Sequence, residues 1–162
     1  IIIYPTDTIY GIGCDATNKK TAQKLSKVKK RKPNQPFSIV VPSKEWLKQN
    51  TYLPHHALKY LKKLPGPYTL VLKAKKSIQH LTYKDKIGIR IPKNKFCDII
   101  RKNKILLVTT SVNISGQPPA KSIKEIPQPF KKIAAYIINA GKLDNPPSTI
   151  IDLSGTMPKI MR

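Results

Sequence analysis

The chain has few of the residues on which nucleophilic and zinc chemistry depends. Its two cysteines, Cys14 and Cys97, are too few for a disulfide scaffold and lack the spacing of metal ligands. We therefore expect both to be buried free thiols of a cytoplasmic protein, in a reducing compartment. The three histidines are His55, His56 and His80, and they form neither a zinc pattern nor a pair with a nucleophile. These absences argue against a zinc site and against a covalent enzyme intermediate.

Acidic residues and long apolar runs are also scarce. The 162 residues include 8 acidic and 31 basic side chains, which gives a net charge of +23 at pH 7. No apolar run approaches the roughly 20 residues that cross a bilayer, so we expect no membrane association. A positive field of this size attracts polyanions, and nucleotide phosphates and RNA are both compatible with it. The length fits one ordinary domain, and we expect residues 1–162 to form it.

Arginine is rare although the chain is basic. The four arginines are Arg31, Arg90, Arg101 and Arg162, and lysine supplies the remaining positive charge. Because the planar guanidinium suits carboxylates and phosphates, each arginine is a candidate for a specific contact. Arg90 alternates with isoleucines on a predicted strand and needs a counter-charge, either from a protein carboxylate or from a ligand. Since so few acidic residues are available, we favour a ligand carboxylate.

Apolar periodicity predicts strands that alternate with helices in one mixed-sheet α/β domain. We predict four helices, at 20–30, 43–49, 54–64 and 96–101. A proline-rich stretch over 118–129 predicts a surface loop. The strand-like segments lie at 1–3, 37–41, 69–72, 87–91, 105–108, 134–138, 149–153 and 159–161.

Polar side chains cluster at the ends of three predicted strands. Thr6, Asp7 and Thr8 follow the first strand, segment 109–116 follows a later one, and segment 147–152 enters another. Each cluster could be a turn whose hydroxyls are satisfied locally. Three such clusters, with an arginine on a fourth strand, indicate one concave polar site instead, because ligands of α/β proteins bind at strand ends.

A second basic feature is the Lys29-x-Arg31 pair at the end of the first predicted helix. Cations are favoured at a helix C-terminus, so the pair could be an exposed, solvated helix end. The prolines that follow, Pro33 and Pro36, could instead hold the pair in a rigid turn that binds polyphosphate. Both interpretations stay open on the local sequence.

Taken in order, the motifs resemble the YrdC family of L-threonylcarbamoyladenylate synthases over essentially the whole chain. The matching motifs are YPTDT-YG at 4–11, K-x-R at 29–31, PGP-TL at 65–70, R-x-P at 90–92, S-x-N-x-SG at 111–116, ST--D at 148–152 and a final basic residue, Arg162. The resemblance implies a twisted mixed sheet of about seven strands around a basic cavity. It also implies that ATP, L-threonine and bicarbonate are joined to threonylcarbamoyl-AMP, with release of pyrophosphate, for N6-threonylcarbamoyladenosine at tRNA position 37.

The resemblance also implies roles for individual residues. The catalytic pair would be Lys29 and Arg31, which grip the phosphates. The residues that would hold L-threonine are Thr8, Arg90, Ser111 and Ser148. The ATP-binding residues would be Lys29, Arg31, Gln35, Lys86, Asn113, Lys121 and Arg162. Gln35 and Lys121 depart from the family pattern, which has Asn and Thr there. Mg²⁺ is expected on the ATP phosphates, with no metal ligand from the protein.

The resemblance further implies a downstream partner, a threonylcarbamoyl transferase complex that acts on tRNA. The charge leaves a second hypothesis open, an RNA-binding module for tRNA or double-stranded RNA without catalysis. Against a pure RNA binder, the chain lacks aromatic stacking platforms. A third hypothesis is a carbamoyl-transfer domain of the kind found in hydrogenase-maturation proteins, which are much longer chains.

Overall fold

The computed structural model describes residues 1–32, 35–76 and 81–162, and it has a mixed sheet with helices packed on both faces. Within these residues the sheet has ten strands. Nine of them follow the order β10-β9-β5-β6-β3-β7-β2-β1-β8, and β4 pairs with β5 beside this path. The strands are β1 Ile2–Pro5, β2 Tyr10–Asp15, β3 Ser38–Val40, β4 Thr51–Tyr52, β5 Tyr68–Ala74, β6 Lys86–Arg90, β7 Leu107–Ser111, β8 Tyr136–Ile137, β9 Thr149–Asp152 and β10 Lys159–Ile160.

The sheet mixes both strand orientations. The β1–β8, β3–β6 and β5–β9 pairs are parallel, and the other pairs are antiparallel. The predicted mixed α/β fold is therefore confirmed. The strands that were not predicted are β2 and the two-residue β4. β2 was not predicted because its sequence of hydroxyls and glycines is typical of a loop.

Five α-helices pack on this sheet in the described part of the chain. The first turns of α1, α2 and α4 are capped, since Asn18, Ser43 and Asn94 each accept a backbone N–H with the side chain. None of the described helices has the length and apolar character to cross a membrane. The helices are α1 Lys19–Val28, α2 Lys44–Asn50, α3 Leu58–Leu61, α4 Lys95–Lys102 and α5 Gln128–Ile133.

Two predicted elements differ from the structure. The expected helix over 54–64 is a 3-10 turn at His55–Ala57 followed by the short α3. The expected loop over 118–129 contains the start of α5, which places Phe130 fully in the core. Pro127 precedes that helix, and proline is tolerated at a helix start, so proline content alone did not exclude a helix there.

Alternating side chains of the central strands face two separate cores. Ile39 of β3 packs in the larger core, and its neighbour Val40 packs in a smaller one beneath α4. The same alternation separates Val108 from Leu107 on β7. Both cysteines are buried free thiols, as predicted.

Glycine allows the central strands to approach each other closely at two places. A Cβ at Gly13 of β2 would collide with the backbone oxygen of Val108 on β7. A Cβ at Gly88 of β6 would meet Ser38 Oγ of β3 at 2.5 Å. These contacts bring the central strands close together, so that the hydroxyl groups near their ends lie on the same side of the sheet.

Candidate substrate-binding cleft

A cleft beside these strand ends consists of two adjoining chambers. The first, named here the arginine chamber, encloses about 640 Å³, part of it open to solvent. The second, the apolar chamber, measures about 1230 Å³, also partly open to solvent, and is lined partly by Phe37, Tyr83 and Met161. The residues common to both walls are Arg31, Ser38, Thr69 and Ile150. The two chambers are therefore parts of one continuous site.

Three of the four arginines line the arginine chamber: Arg31, Arg90 and Arg162. Burial, together with the positive charge of Arg90, lowers the pKa of Arg162 from its ordinary value. Burial also lowers the pKa of Arg31. Three guanidinium groups that face one cavity, two of which repel each other, form a candidate site for an anion.

Arg90 has a protein counter-charge as well. Its Nη2 donates to Asp7 Oδ1 at 2.8 Å and lies 3.4 Å from Thr8 Oγ1. Both side chains of the ion pair are 9% exposed. Of the two counter-charges that the sequence left open, the protein carboxylate is therefore present, and a ligand carboxylate at Arg90 stays a prediction. A substrate carboxylate at Arg90 would share the guanidinium with Asp7.

Hydroxyl groups cover most of the remaining wall of the arginine chamber. Thr6 Oγ1 lies 2.9 Å from Thr8 Oγ1 and donates to the carbonyl of Ile9. Thr69 Oγ1 of β5 lies 2.8 Å from the Oγ of Ser148, which directly precedes the neighbouring strand β9. The three polar clusters thus converge as predicted. The chamber-lining hydroxyls are Thr6, Thr8, Ser38, Thr69, Thr109, Thr110, Ser111 and Ser148.

Sequence reasoning gave no site role to Ser38 or Thr69. Both lie on strands, β3 and β5, where the neighbouring residues are apolar. A lone hydroxyl within an apolar strand is the signal that could have identified them, because a buried hydroxyl needs a hydrogen-bonding partner. The strand β7 also extends through Thr109, Thr110 and Ser111, which were expected to follow it.

Lys29 is buried and does not lie on an exposed helix end. Its side chain is 2% exposed, and Nζ donates to the carbonyl oxygens of Ser111 at 2.6 Å and Asn113 at 2.7 Å. It also lies 3.3 Å from Asn113 Oδ1. Burial and then the charge of Arg31 lower the pKa of Lys29 to about 7. The expectation of an exposed, solvated helix end is therefore wrong for this residue. Its ammonium group binds the backbone at the end of β7 and just after it.

Arg31 is held by backbone carbonyls at the wall between the chambers. Its Nε donates to the carbonyl of Gln35 and its Nη2 to that of Pro36, both at 2.6 Å. The guanidinium also lies 4.7 Å from the centre of the Phe37 ring. Pro33, the other residue expected to shape this turn, lies outside the described residues. The planar group is therefore fixed in orientation where it lines both chambers.

The apolar chamber has a charged pair at one side. Lys86 Nζ lies 3.0 Å from Asp152 Oδ2, and both residues line the chamber. Although burial raises it, hydrogen bonds from Ser154 and Lys86 bring the pKa of Asp152 below its ordinary value. Gln35 lines this chamber as well. Apart from this charged pair, most of the surface that lines the chamber is apolar or aromatic.

Three of the predicted ATP-binding residues, Lys29, Asn113 and Lys121, line neither chamber. Asn113 lies just behind the arginine chamber, where it accepts a hydrogen bond from Ser111 Oγ. Lys121 is exposed and pairs with Asp144. Among the described residues, no group of three or more His, Cys, Asp or Glu side chains could hold a metal ion.

The sequence matches a known protein family over its whole length. The family model for Sua5, YciO and YrdC, described as telomere recombination, matches residues 1–162. A Methanocaldococcus jannaschii protein with the provisional name threonylcarbamoyl-AMP synthase is 42% identical over 94% of this chain and 74% of its own length. The threonylcarbamoyl-AMP synthase of Idiomarina loihiensis is 30% identical over 95% of this chain and 88% of its own.

Solved structures show the same fold. Pyrococcus abyssi Sua5 complexed with L-threonine has a TM-score of 0.86 and 27% identity over 99% of this chain. This chain spans only 49% of the Sua5 chain, which is about half its length. Escherichia coli YciO has a TM-score of 0.88 and 27% identity, covering 99% of this chain and 81% of its own. The chain therefore belongs to the Sua5/YciO/YrdC family.

Proposed function

We propose that this protein is a threonylcarbamoyl-AMP synthase, a nucleotidyltransferase that joins ATP, L-threonine and bicarbonate and releases pyrophosphate. The observation that carries the proposal is the cleft itself. A small chamber with three arginines and many hydroxyls opens, past Arg31, into a larger apolar chamber. Such a site suits a small carboxylate substrate beside a nucleotide. The names of the two synthase relatives support the same reaction.

L-Threonine would occupy the arginine chamber. Its carboxylate would pair with Arg90, and the hydroxyls of Thr8, Ser111 and Ser148 would orient its amine and side chain. The P. abyssi relative that was solved with L-threonine supports this choice of substrate. The chamber wall offers many hydroxyl partners, which fits a substrate that carries a hydroxyl of its own.

ATP would occupy the apolar chamber, with its phosphates directed toward the common wall. The base and ribose would lie against Phe37, Tyr83 and Met161, where Lys86 and Gln35 also line the surface. Arg31, on the wall between the chambers, would contact the phosphates. Lys29 would support this contact indirectly, through the Ser111–Asn113 segment. Mg²⁺ would enter on the ATP phosphates and offset part of their charge.

The chemistry requires alignment and charge neutralisation more than a protein nucleophile. The threonine amine attacks bicarbonate, and loss of water gives the carbamate. A carbamate oxygen then attacks the α-phosphate in line, while the bond from the α-phosphorus to the pyrophosphate oxygen breaks. Arg31 would stabilise the charge that moves onto the leaving pyrophosphate. Arg90 and Arg162 would hold the carbamate side of the reaction.

The product would pass to a threonylcarbamoyl transferase complex that modifies tRNA in the cytoplasm. Direct contact with tRNA or double-stranded RNA is an additional proposal, and it is supported by the net charge of +23. The non-catalytic RNA module remains the alternative function. The hydroxyl-lined chamber favours catalysis over that alternative, because RNA binding does not require a concave site lined by hydroxyls.

We expect pyrophosphate release to require all three substrates together. The measurement is a coupled pyrophosphate assay in which ATP, threonine or bicarbonate is omitted in turn. The threonine requirement reflects the need for the carbamate as nucleophile. Serine at the same concentration is the matched control, since it lacks only the methyl group. Pyrophosphate release that is equally fast without threonine would overturn the synthase proposal.

A further inference from the structure

Asp7 lies directly behind the arginine chamber. Its carboxylate is 9% exposed and contacts Arg90, while Asp7 itself does not line the chamber. Its neighbours on either side, Thr6 and Thr8, do line it. Asp7 can therefore act on a bound molecule only through the groups that it holds.

Those groups belong to three different parts of the chain. Asp7 Oδ1 accepts a hydrogen bond from Arg90 Nη2 at 2.8 Å, and Oδ2 accepts one from the backbone N–H of Lys93 at 3.1 Å. The carbonyl oxygen of Asp7 accepts a third from Asn145 Nδ2, also at 3.1 Å. One residue thus connects the end of β6, the turn that follows β6, and segment 139–147.

The contact with Arg90 has a geometric consequence. A guanidinium is planar, so fixing one terminal nitrogen against a carboxylate restricts the plane of the whole group. Arg90 Nε is buried and has no hydrogen-bond partner among the residues that the structure describes. Asp7 and, more weakly, Thr8 are therefore the side chains that set this plane.

The contact also sets Arg90 apart from the other arginines of the chamber. Arg31 donates to the backbone carbonyls of Gln35 and Pro36, and Arg162 donates to that of Ser148 at 3.3 Å. In the described residues, Arg90 alone of these three has a carboxylate partner. Its charge is partly offset and its orientation is fixed, which suits it to select one anion geometry over others.

We propose that Asp7 is a positioning residue that fixes the guanidinium of Arg90 for the carboxylate of the amino-acid substrate. The proposal rests on the proposed function, because it concerns the same threonine site. Asp7→Asn keeps the size of the side chain and an oxygen for the Lys93 N–H. It removes the charge that holds Arg90, so the guanidinium can rotate and the carboxylate contact is lost part of the time.

The test is steady-state pyrophosphate release by wild type and by Asp7→Asn, with threonine and ATP titrated separately. We expect the KM for threonine to rise about tenfold or more, as for the loss of one charge-assisted contact, with little change in the KM for ATP. Asp7→Glu restores the charge and should recover part of the threonine affinity. Threonine binding is also measured directly by calorimetry, which needs no turnover.

Two control variants separate positioning from structure. Asp98→Asn breaks another Asp–Arg pair, the one with Arg101 on α4, and should leave both KM values unchanged. Asn145→Ala removes the contact with the Asp7 carbonyl while leaving the carboxylate on Arg90. If Asn145→Ala reproduced the threonine effect, Asp7 would be a connector of segments instead.

The outcomes distinguish the two proposals. If wild type shows no threonine-dependent release, the proposed function fails and calorimetry alone decides about Asp7. If wild type is active and Asp7→Asn has the wild-type KM for threonine, the positioning role is overturned. An equal loss of kcat at unchanged KM values, together with a lower midpoint of thermal unfolding, would also overturn it.

Discussion

At the scale of single residues, Lys29 shows how burial changes what a side chain does. The local sequence is typical of a solvated helix end, and the neighbouring Lys30 is indeed exposed. The ammonium of Lys29 instead donates to oxygens of Ser111 and Asn113, which lie more than 80 residues away. Local periodicity carries no information about such distant partners, so the sequence could not reveal this contact.

We expect Lys29→Met to destabilise the protein by about 2 kcal/mol or more, because buried acceptors on Ser111 and Asn113 lose their donor. The measurement is the free energy of unfolding in urea. Lys24→Met, at an exposed position of α1, is the control and should be nearly neutral. A cost for Lys29→Met no larger than that of the control would mean that the ammonium is not needed for the Ser111–Asn113 segment.

The same residue should give stability a pH dependence. The pKa of Lys29 is about 7 in the folded protein, against an ordinary value of 10.5. Between these values the unfolded chain binds the proton more tightly, so this residue makes stability rise as pH increases from about 7 toward 10. The measurement is the free energy of unfolding at a series of pH values, and subtracting the values for Lys29→Met from those of wild type isolates this rise. A flat difference would contradict the lowered pKa.

At the scale of elements, the pairing of β2 with β7 is what assembles the arginine chamber. Both strands carry hydroxyl or glycine residues where they meet, and Gly13 lies directly against the backbone of Val108. A larger residue at this position cannot be accommodated by a side-chain rotation, because the opposing atom belongs to the backbone. The pairing therefore depends on the absence of a single Cβ.

We expect Gly13→Ala to destabilise the protein by several kcal/mol, as overpacking in a sheet centre does, and to reduce threonine binding with it. Gly155→Ala is the matched control, since the nearest atom to its added Cβ is 3.9 Å away. The measurements are urea unfolding and calorimetry with threonine. Equal stability of the two variants would show that the strands can separate at Gly13 without cost.

Much of the sheet could be predicted, because β3, β5, β6 and β9 are apolar segments of ordinary strand length. β2 could not, since its residues are chosen for close approach and for the site rather than for strand propensity. In the cleft, the hydroxyl clusters and Arg90 were found from their alternation and spacing. The Asp7–Arg90 pair was missed because no periodic pattern links residues 83 positions apart.

At the scale of the whole molecule, positive charge is spread well beyond the cleft. The chain carries a net charge of +23, and surface lysines such as Lys62 and Lys63 on the α3 side are exposed and line neither chamber. A field of this kind raises the local concentration of ATP and of RNA without selecting between sequences. Selectivity for small substrates therefore depends on the cleft alone.

We expect the double variant Lys62→Gln, Lys63→Gln to weaken binding to a 20-base-pair RNA duplex while leaving pyrophosphate release unchanged. Two fewer phosphate contacts should lower the steepness with which affinity falls as salt increases. The measurement is fluorescence anisotropy over a series of salt concentrations, with the kinetic assay at one fixed ionic strength. An unchanged salt dependence would place any RNA contact on another face.

The three arginines of the chamber have a consequence for the native state as a whole. Folding brings Arg90 and Arg162 close enough to oppose each other, as the lowered pKa of Arg162 reflects. A bound anion relieves this repulsion, and a ligand that binds only the folded form stabilises it by about 2.7 kcal/mol at one hundred times its dissociation constant. The free energy of unfolding therefore rises as the chamber fills with ligand. The cell's supply of substrate would set not only how fast this protein works but also how long each copy stays folded.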